Sequence, residues 1–280
     1  MITAQSARAE LRQNIEYGKA AGVSLRLDAD IPSGSGPFPA AIIVHGGAWV
    51  SGDRHYNVQP LFRPLSEAGF AWFSISYRLA DNVAVFGDAV QDVEQAIRFV
   101  RAHAAEFHVD PDRIALIGES AGAQLAAMAA LQSPPGAVRA VVSLYGPTDL
   151  VTLAKTSKQI PESLRQSVEG TPFESMLLAG LARLSPINHV RPDMPPFLLI
   201  HGTSDSLVPF QQSVHFCEKA RAAGGACEVF PVAGGGHGIR WWESDHLTAY
   251  KQHMVHWLER EMNGPAASAE TQTHGIHAGG

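Results

Sequence analysis

The chain has 280 residues, of which 45% are hydrophobic and 17% charged, and its formal net charge is -6. This composition can fill a large core, and an acidic balance without a basic cluster argues against nucleic acid or an anionic membrane as the main partner. No apolar run reaches the ~20 residues of a membrane helix, and the N-terminal residues lack the apolar stretch of a signal peptide. We therefore expect a cytoplasmic protein, or a secreted one whose signal has been removed.

The sequence predicts strands and helices in alternation. Residues 15–32 are typical of two strands joined near Gly22. Further strands are predicted at AAIIVHGG, FAWFSISYR, RIALIG, VRAVVSLYG, PPFLLIHG and ACEVFPVAG, with Asp110-Pro111 expected to precede the third of these. Helices are predicted at VQPLFRPLSEAG, FGDAVQDVEQAIRFVRAHAAEF, the alanine-rich segment after Ser120, QQSVHFCEKARAAG and SDHLTAYKQHMVHWLEREM.

This order of elements predicts an α/β protein with a mostly parallel sheet and helices on both faces. We expect one domain over residues 1–262, a small helical, lid-like insertion over about residues 147–196, and a disordered tail over residues 263–280. Cys217 and Cys227 have no metal-site spacing, and we expect them to be neighbouring buried thiols rather than a disulfide.

Parallel sheets carry their functional loops at the carboxyl ends of the strands, and one such loop is Gly118-Glu119-Ser120-Ala121-Gly122. A serine on a sharp turn from strand to helix projects its hydroxyl above the sheet, and the small flanking residues relieve crowding. The pattern predicts that Ser120 is a nucleophile. The alternative is a serine that only caps the helix.

Two other strand ends carry residues that would activate a serine. A hydroxyl needs a base to take its proton, and His237 lies among glycines late in the chain. The base needs a carboxylate to orient it, and Asp205 follows the preceding strand. The alternative for Asp205 is a turn formed with Ser204 and Ser206.

The loop after Val44 supplies backbone amides. Gly46, Gly47 and Ala48, together with the amide of Ala121, could bind the oxyanion of a tetrahedral intermediate. An ordinary tight turn is the alternative. A phosphate-binding loop is disfavoured, because neither Gly-x-Gly-x-x-Gly nor Gly-Lys-Ser/Thr is present.

These motifs resemble the α/β-hydrolase esterases of the hormone-sensitive-lipase-like and carbohydrate-esterase-like group, and within it the BD-FAE-like feruloyl and acetyl-xylan esterase branch. The chain order Ser120, Asp205, His237 is that of α/β-hydrolases. The resemblance implies those three residues as nucleophile, partner and general base, with Gly47 and Ala48 favoured as oxyanion donors. The matching segments are HGGAW at 45–49, Tyr77-Arg78, GESAG at 118–122, Tyr145-Gly146-Pro147, HGTSD at 201–205 with Val208-Pro209, and Gly236-His237-Gly238.

One departure from the lipase-like branch is informative. That branch has a third glycine where Ala48-Trp49 stands, whereas HGG-x-W is shared by carbohydrate esterases and arylformamidases. Trp49 and Glu119 are predicted to lie in the substrate pocket. Trp241 and Trp242 either form a wall of that pocket or pack under the last helix.

The remaining histidines do not predict a metal site. His45 and His201 are expected to bind backbone and order their loops. His246, His253 and His256 lie on one predicted helix without the spacing of a zinc motif. Chemistry by serine and histidine needs no metal and no cofactor, so none is expected.

The leading hypothesis is hydrolysis of a carboxylic ester through an acyl-serine, on small acyl esters such as acetyl or feruloyl groups on plant carbohydrate. Leucines in the insertion favour small acyl groups. The expected partner is thus a small-molecule or carbohydrate ester, and the oligomeric state is left open. Alternatives are an arylformamidase, a small peptidase, and a scaffold without enzymatic activity.

Overall fold

The computed structural model describes residues 9–80, 86–157, 163, 166–167 and 169–264. Within them an eight-stranded sheet has the order β1-β2-β4-β3-β5-β6-β7-β8. The strands are β1 Glu10–Ala20, β2 Val23–Ile31, β3 Phe38–Val44, β4 Ala71–Ile75, β5 Val109–Glu119, β6 Ala140–Leu144, β7 Phe197–Gly202 and β8 Cys227–Val232.

The register of the sheet brings several strand ends to one edge. β1 and β2 are antiparallel to their neighbours, and the pairs from β4 through β8 are parallel. Val44 pairs with Gly118, Glu119 with Leu144, and Leu144 with Ile200. The loops that follow β3, β5, β6 and β7 therefore meet above the same edge of the sheet.

Helices cover both faces of the sheet because the central strands β3, β4, β6 and β7 are buried on both sides. One buried cluster packs the helices Phe86–Ala102, Ala121–Gln132 and Gln211–Ala222 on one face. A second packs the helices Gln59–Glu67, Ile239–Ser244 and Ala249–Asn263 on the other. The helices are α1 Gln59–Glu67, α2 Phe86–Ala102, α3 Ala121–Gln132, α4 Leu150–Thr156, α5 Pro172–Arg183, α6 Gln211–Ala222, α7 Ile239–Ser244 and α8 Ala249–Asn263, with a 3-10 turn at Pro186–His189.

The prediction of a mostly parallel sheet with helices on both faces and a small helical insertion is confirmed, with local differences. β5 begins at Val109 and runs through Asp110-Pro111, which was expected to precede it. Phe38 pairs with Val109 and Ala40 with Ile114, so the extra residues on β5 form an irregularity that accommodates the proline. Helix α7 was not predicted, because it is shorter than two turns and has no long periodicity.

The described part of the insertion is attached to the ends of β6 and α3. The amide of Gln124 donates to the carbonyl of Leu184 at 2.7 Å, and the Leu150 amide donates to the hydroxyl of Ser185 at 2.9 Å. Helix α5 has no fully buried residue, and Phe173 and Met176 are exposed. The two ends of the insertion, near residues 148–150 and 184–187, are thus joined to each other and to the first turn of α3.

The prediction that the two cysteines are free thiols is wrong. Cys217 on α6 and Cys227 at the start of β8 form a disulfide, with a Cα–Cα distance of 5.3 Å that suits such a bond. The tail predicted to be disordered lies outside the described residues from 265 onward. None of the helices in the described ranges has the length and apolar character needed to cross a bilayer.

Candidate active site

Ser120 occupies a strained turn between β5 and α3. Its φ of 53° and ψ of -118° lie in a region that residues with a Cβ rarely adopt. The Ser120 amide donates to the carbonyl of Leu144 at 2.9 Å, which ties the turn to the end of β6. Ser120 stands at the N-cap position of α3, but its hydroxyl makes no capping hydrogen bond. The hydroxyl is therefore available for another partner.

Both glycines around Ser120 are required by close packing. A Cβ on Gly118 would overlap backbone atoms of Gly122 and Ala123. A Cβ on Gly122 would overlap the carbonyl oxygens of Val44 and His45. The turn can approach the loop after β3 only because these side chains are absent.

His237 and Asp205 complete a hydrogen-bonded chain with Ser120. Oγ of Ser120 lies 2.9 Å from Nε2 of His237, and Nδ1 of His237 lies 2.7 Å from Oδ2 of Asp205. Since a carboxylate accepts, Nδ1 carries the proton and Nε2 is left to accept from the serine hydroxyl. The three residues come from the ends of β5, β7 and β8, as the sequence predicted.

Asp205 is held as a carboxylate by several donors. Its side chain is buried, and Oδ1 accepts from the amides of Leu207 and Val208, both at 2.9 Å. Burial by itself raises the pKa of Asp205, but hydrogen bonds from His201 and His237 and from the Val208 amide outweigh it, and the pKa falls well below its ordinary value. Asp205 thus forms a turn with one oxygen and orients His237 with the other.

The loop after β3 presents free amides beside the serine. Gly47 and Ala48 have positive φ values of 112° and 52°. Within the described residues, the amides of Gly47, Ala48 and Ala121 donate to no protein acceptor. The Gly46 amide faces the carboxylate of Glu119 and lowers the pKa of that group. Three of the four predicted oxyanion donors therefore have no acceptor among the described residues. The Gly46 amide faces Glu119 without a hydrogen bond of standard geometry, since Oε2 of Glu119 is buried and has no partner in the described part of the chain.

Glu119 and Tyr145 form a buried pair next to His237. The Tyr145 hydroxyl donates to Oε1 of Glu119 at 2.9 Å and accepts from the amide of Ile239 at 2.9 Å. The Tyr145 ring meets the His237 ring edge-on, with centroids 4.7 Å apart. Burial raises the pKa of Glu119, although the Tyr145 hydroxyl, the His237 ring and the Gly46 amide lower it in part. The motif Tyr145-Gly146-Pro147 gave no indication of this contact.

A pocket of about 590 Å³ opens beside His237. The two tryptophans after His237 lie in different environments. Trp241 is 67% exposed and lines the pocket, whereas Trp242 is fully buried under α8. Of the two alternatives for this pair, Trp241 therefore follows the first and Trp242 the second, so the assignment of Trp242 to the pocket is corrected. Trp49 does not line this pocket either, since its indole donates to Gln124 at 2.9 Å and its ring packs on the core. The pocket is lined by Tyr56, Asn57, Glu119, His237, Gly238, Arg240, Trp241 and Ser244.

The other two motif histidines order their loops, as predicted. Nδ1 of His45 lies 2.7 Å from the Gly46 carbonyl, and Nε2 of His201 lies 2.8 Å from the Val208 carbonyl. Burial lowers the pKa of His45 to about 4, so this ring is neutral. In the described part of the chain, no three His, Cys, Asp or Glu side chains are grouped as a metal ion would require.

Known proteins resemble the chain over most of its length. The family model BD-FAE matches residues 27–220. The probable carboxylic ester hydrolase LipM of Mycobacterium tuberculosis is 32% identical over 74% of the chain and 50% of its own length. The chain spans about half the length of the curated relatives it matches.

Solved structures agree with this relationship. A truncated carbohydrate esterase from gut microbiota has a TM-score of 0.76 and 27% identity, over 93% of this chain and 99% of its own. Esterase Est2 of the planctomycete Thermogutta terrifontis has a TM-score of 0.73 and 27% identity, over 95% of this chain and 96% of its own. Est2 has also been solved with propionate and with butyrate bound. The chain therefore belongs to the BD-FAE family and has the α/β-hydrolase fold of these esterases.

Proposed function

We propose that the protein is a serine carboxylic ester hydrolase. The observation that supports this most directly is the hydrogen-bonded chain from Ser120 through His237 to Asp205. His237, the middle member of the chain, lines an open pocket. The related LipM and Est2 are named as ester hydrolases, which supports the same reaction here.

In the first step His237 acts as general base. Nε2 takes the proton of Ser120 as Oγ attacks the ester carbonyl carbon, and Asp205 stabilises the imidazolium that forms. The carbonyl oxygen becomes an oxyanion, for which Gly47 or Ala48 and Ala121 supply amides. The imidazolium then protonates the leaving alcohol as the carbon–oxygen bond breaks, and the acyl group remains on Ser120.

The second step repeats the first with water. His237 takes a proton from a water molecule, whose oxygen attacks the acyl carbon of the acyl-serine. The tetrahedral intermediate collapses, Ser120 recovers its proton from His237, and a carboxylic acid is released. No metal or cofactor enters either step.

The substrate class that we propose is a short acyl ester, such as an acetyl or feruloyl group on plant carbohydrate. The similarity to a carbohydrate esterase supports a sugar as the alcohol part of the ester. The propionate and butyrate complexes of Est2 support a short chain as its acyl part. The exposed Trp241 beside His237 supports a flat ring in the pocket.

Replacement of Ser120 tests the reaction. Ser120→Ala should abolish hydrolysis of p-nitrophenyl acetate and labelling by a fluorophosphonate probe while the far-UV circular dichroism stays the same. Ser133→Ala, which removes a hydroxyl bonded to Ala129 at the other end of α3, is the matched control and should retain both. Retained turnover in Ser120→Ala would exclude the proposed nucleophile.

A substrate panel tests the proposed class. Acetylated xylan, methyl ferulate, N-formylkynurenine and p-nitrophenyl esters of increasing chain length should be compared by kcat/KM. We expect acetyl and feruloyl esters to be preferred over acyl chains beyond about eight carbons. Preference for the long chains, or for the formamide, would overturn the carbohydrate ester as substrate while leaving Ser120 as nucleophile.

A further inference from the structure

Arg240 places a positive charge in the wall of the pocket beside His237. Its side chain is exposed and lines the pocket together with Trp241, its neighbour on α7, and with Tyr56 from the loop before α1. Trp241 is 67% exposed and Tyr56 43% exposed, so two aromatic rings lie in water next to a guanidinium. Large exposed aromatic surface beside a polar group is typical of a binding site.

The fold does not account for this arginine. Within the described residues, Arg240 makes no hydrogen bond and no ion pair. Glu243, three residues further along the same helix, pairs with Lys251 at 2.6 Å. A cation in the first turn of a helix is also unfavourable, because it meets the positive end of the helix dipole.

The described lining of the pocket offers a single fixed positive charge, which matches one negative charge on a ligand. Among the described residues that line the pocket, Arg240 is the one cation of fixed charge. The carboxyl group of Glu119 in the same wall is buried and already accepts from Tyr145. A guanidinium forms a two-pronged hydrogen bond with a carboxylate. A group with nearly two negative charges, such as a phosphate monoester, would be only half compensated by this single guanidinium.

We propose that Arg240, Trp241 and Tyr56 form a subsite for a carboxylate carried on a six-membered ring in the leaving alcohol of the ester. This proposal rests on the proposed function, since His237 protonates the leaving alcohol and the alcohol must therefore lie on the His237 side of Ser120. The ring packs against the indole of Trp241, and its carboxylate binds Arg240. Aromatic acids and uronic-acid sugars both have this chemistry.

Matched acetyl esters test the subsite. One pair is 4-acetoxybenzoate and the neutral 4-acetoxybenzamide, and the second is acetylated galacturonic acid and acetylated galactose. The preference is the ratio of kcat/KM for the acid to that for its neutral partner. In Arg240→Gln both ratios should fall about fivefold, the size of an exposed ion pair. A fall confined to one pair assigns the subsite to that kind of ring, and unchanged ratios in both would overturn the proposal.

Controls separate the charge from other effects. Arg98→Gln changes an exposed arginine of α2, on the opposite face of the sheet, and should leave the ratios unchanged. Arg240→Lys should retain part of the preference, because it keeps the charge but not the two-pronged geometry. Raising sodium chloride from 20 to 500 mM should lower the wild-type ratio and not that of Arg240→Gln.

Two further measurements place the subsite and separate it from the reaction itself. Phenyl hemisuccinate carries its carboxylate in the acyl part, and phenyl butyrate is its neutral partner. If Arg240→Gln changed only the ratio of kcat/KM for this pair, the assignment to the leaving alcohol would be wrong.

If the wild type hydrolysed no ester, the proposed function would fail. Calorimetric binding of 4-hydroxybenzoate would still test the subsite, because binding should be weaker in Arg240→Gln than in the wild type.

Discussion

The hydroxyl of Tyr145 lies 2.9 Å from Oε1 of Glu119, and both side chains are buried beneath the proposed catalytic residues. The same hydroxyl accepts from the Ile239 amide, two residues after His237. Because Glu119 precedes Ser120 and Ile239 follows His237, this hydroxyl links the loops that carry both. We therefore propose that Tyr145 positions His237 relative to Ser120.

Tyr145→Phe tests that role. It leaves the Glu119 carboxyl and the Ile239 amide buried without this partner, which should lower the free energy of unfolding by about 1–3 kcal/mol. It should also lower kcat more than it raises KM, since His237 loses its fixed position relative to Ser120. Urea unfolding and steady-state kinetics on p-nitrophenyl acetate measure the two effects.

Tyr250→Phe is the matched control. Tyr250 is also fully buried, packs on Trp242, and donates to Glu243 at 3.0 Å, but it has no contact with His237. We expect a loss of stability of similar size without a comparable loss of kcat. Equal losses of kcat in the two variants would show that Tyr145 contributes only to stability.

Gly122→Ala should disrupt the turn at Ser120. Its methyl group would overlap the backbone carbonyls of Val44 and His45, which cannot move away without shifting β3 and the loop after it. We expect a loss of about 1–3 kcal/mol in unfolding free energy and a fall in kcat of at least tenfold. Gly180→Ala on α5 has open space around its Cβ, and it should be neutral or stabilise by up to about 1 kcal/mol. Wild-type kcat in Gly122→Ala would contradict the packing argument.

The three proposed catalytic residues could be predicted because each follows a strand and lies beside glycine or a turn residue. In a parallel sheet such positions meet at one edge, so chain order and strand ends were sufficient to group Ser120, Asp205 and His237. The distances of 2.9 and 2.7 Å between them agree with that grouping.

Other features depend on contacts that a linear pattern does not contain. The Glu119–Tyr145 pair forms because β5 and β6 are neighbours in the sheet. The order of strands in the sheet cannot be read from a local sequence pattern. Trp241 is exposed and Trp242 buried because adjacent residues on a helix point about 100° apart, and the orientation of α7 about its own axis turns Trp242 toward the core. The short length of α7 gave no periodicity from which to predict that rotation.

Asp28→Asn should show a pH-dependent loss of stability. Burial raises the pKa of Asp28, but hydrogen bonds from the Asn14 amide and from Arg54 and His55 outweigh it, so the folded pKa is below its ordinary value. A depressed carboxyl pKa contributes stability above the unfolded value of about 3.9, and this contribution is lost as pH falls through the folded pKa. The difference in unfolding free energy between wild type and variant should therefore be larger at pH 7 than at pH 3.

The control for this pH dependence is an exposed carboxylate. Asp112 is 81% exposed at its side chain and lies 3.3 Å from Arg101. Asp112→Asn should change the unfolding free energy by less than about 0.5 kcal/mol at both pH values. If Asp28→Asn lost the same stability at pH 3 as at pH 7, the loss would come from packing or geometry rather than from the charge.

Reduction of the disulfide should destabilise the fold without altering the site. Cys217 and Cys227 are ten residues apart and join α6 to β8, so the bond closes a short loop and restricts the unfolded chain. For a loop of this length the loss is about 2–3 kcal/mol. Urea unfolding with and without dithiothreitol measures this loss of unfolding free energy, and a Cys217→Ala, Cys227→Ala double variant should be insensitive to the reductant.

Neither cysteine lines the pocket beside His237, so the reduced protein should keep its kcat/KM under native conditions. An unfolding midpoint that does not shift on reduction would show that the bond contributes no stability.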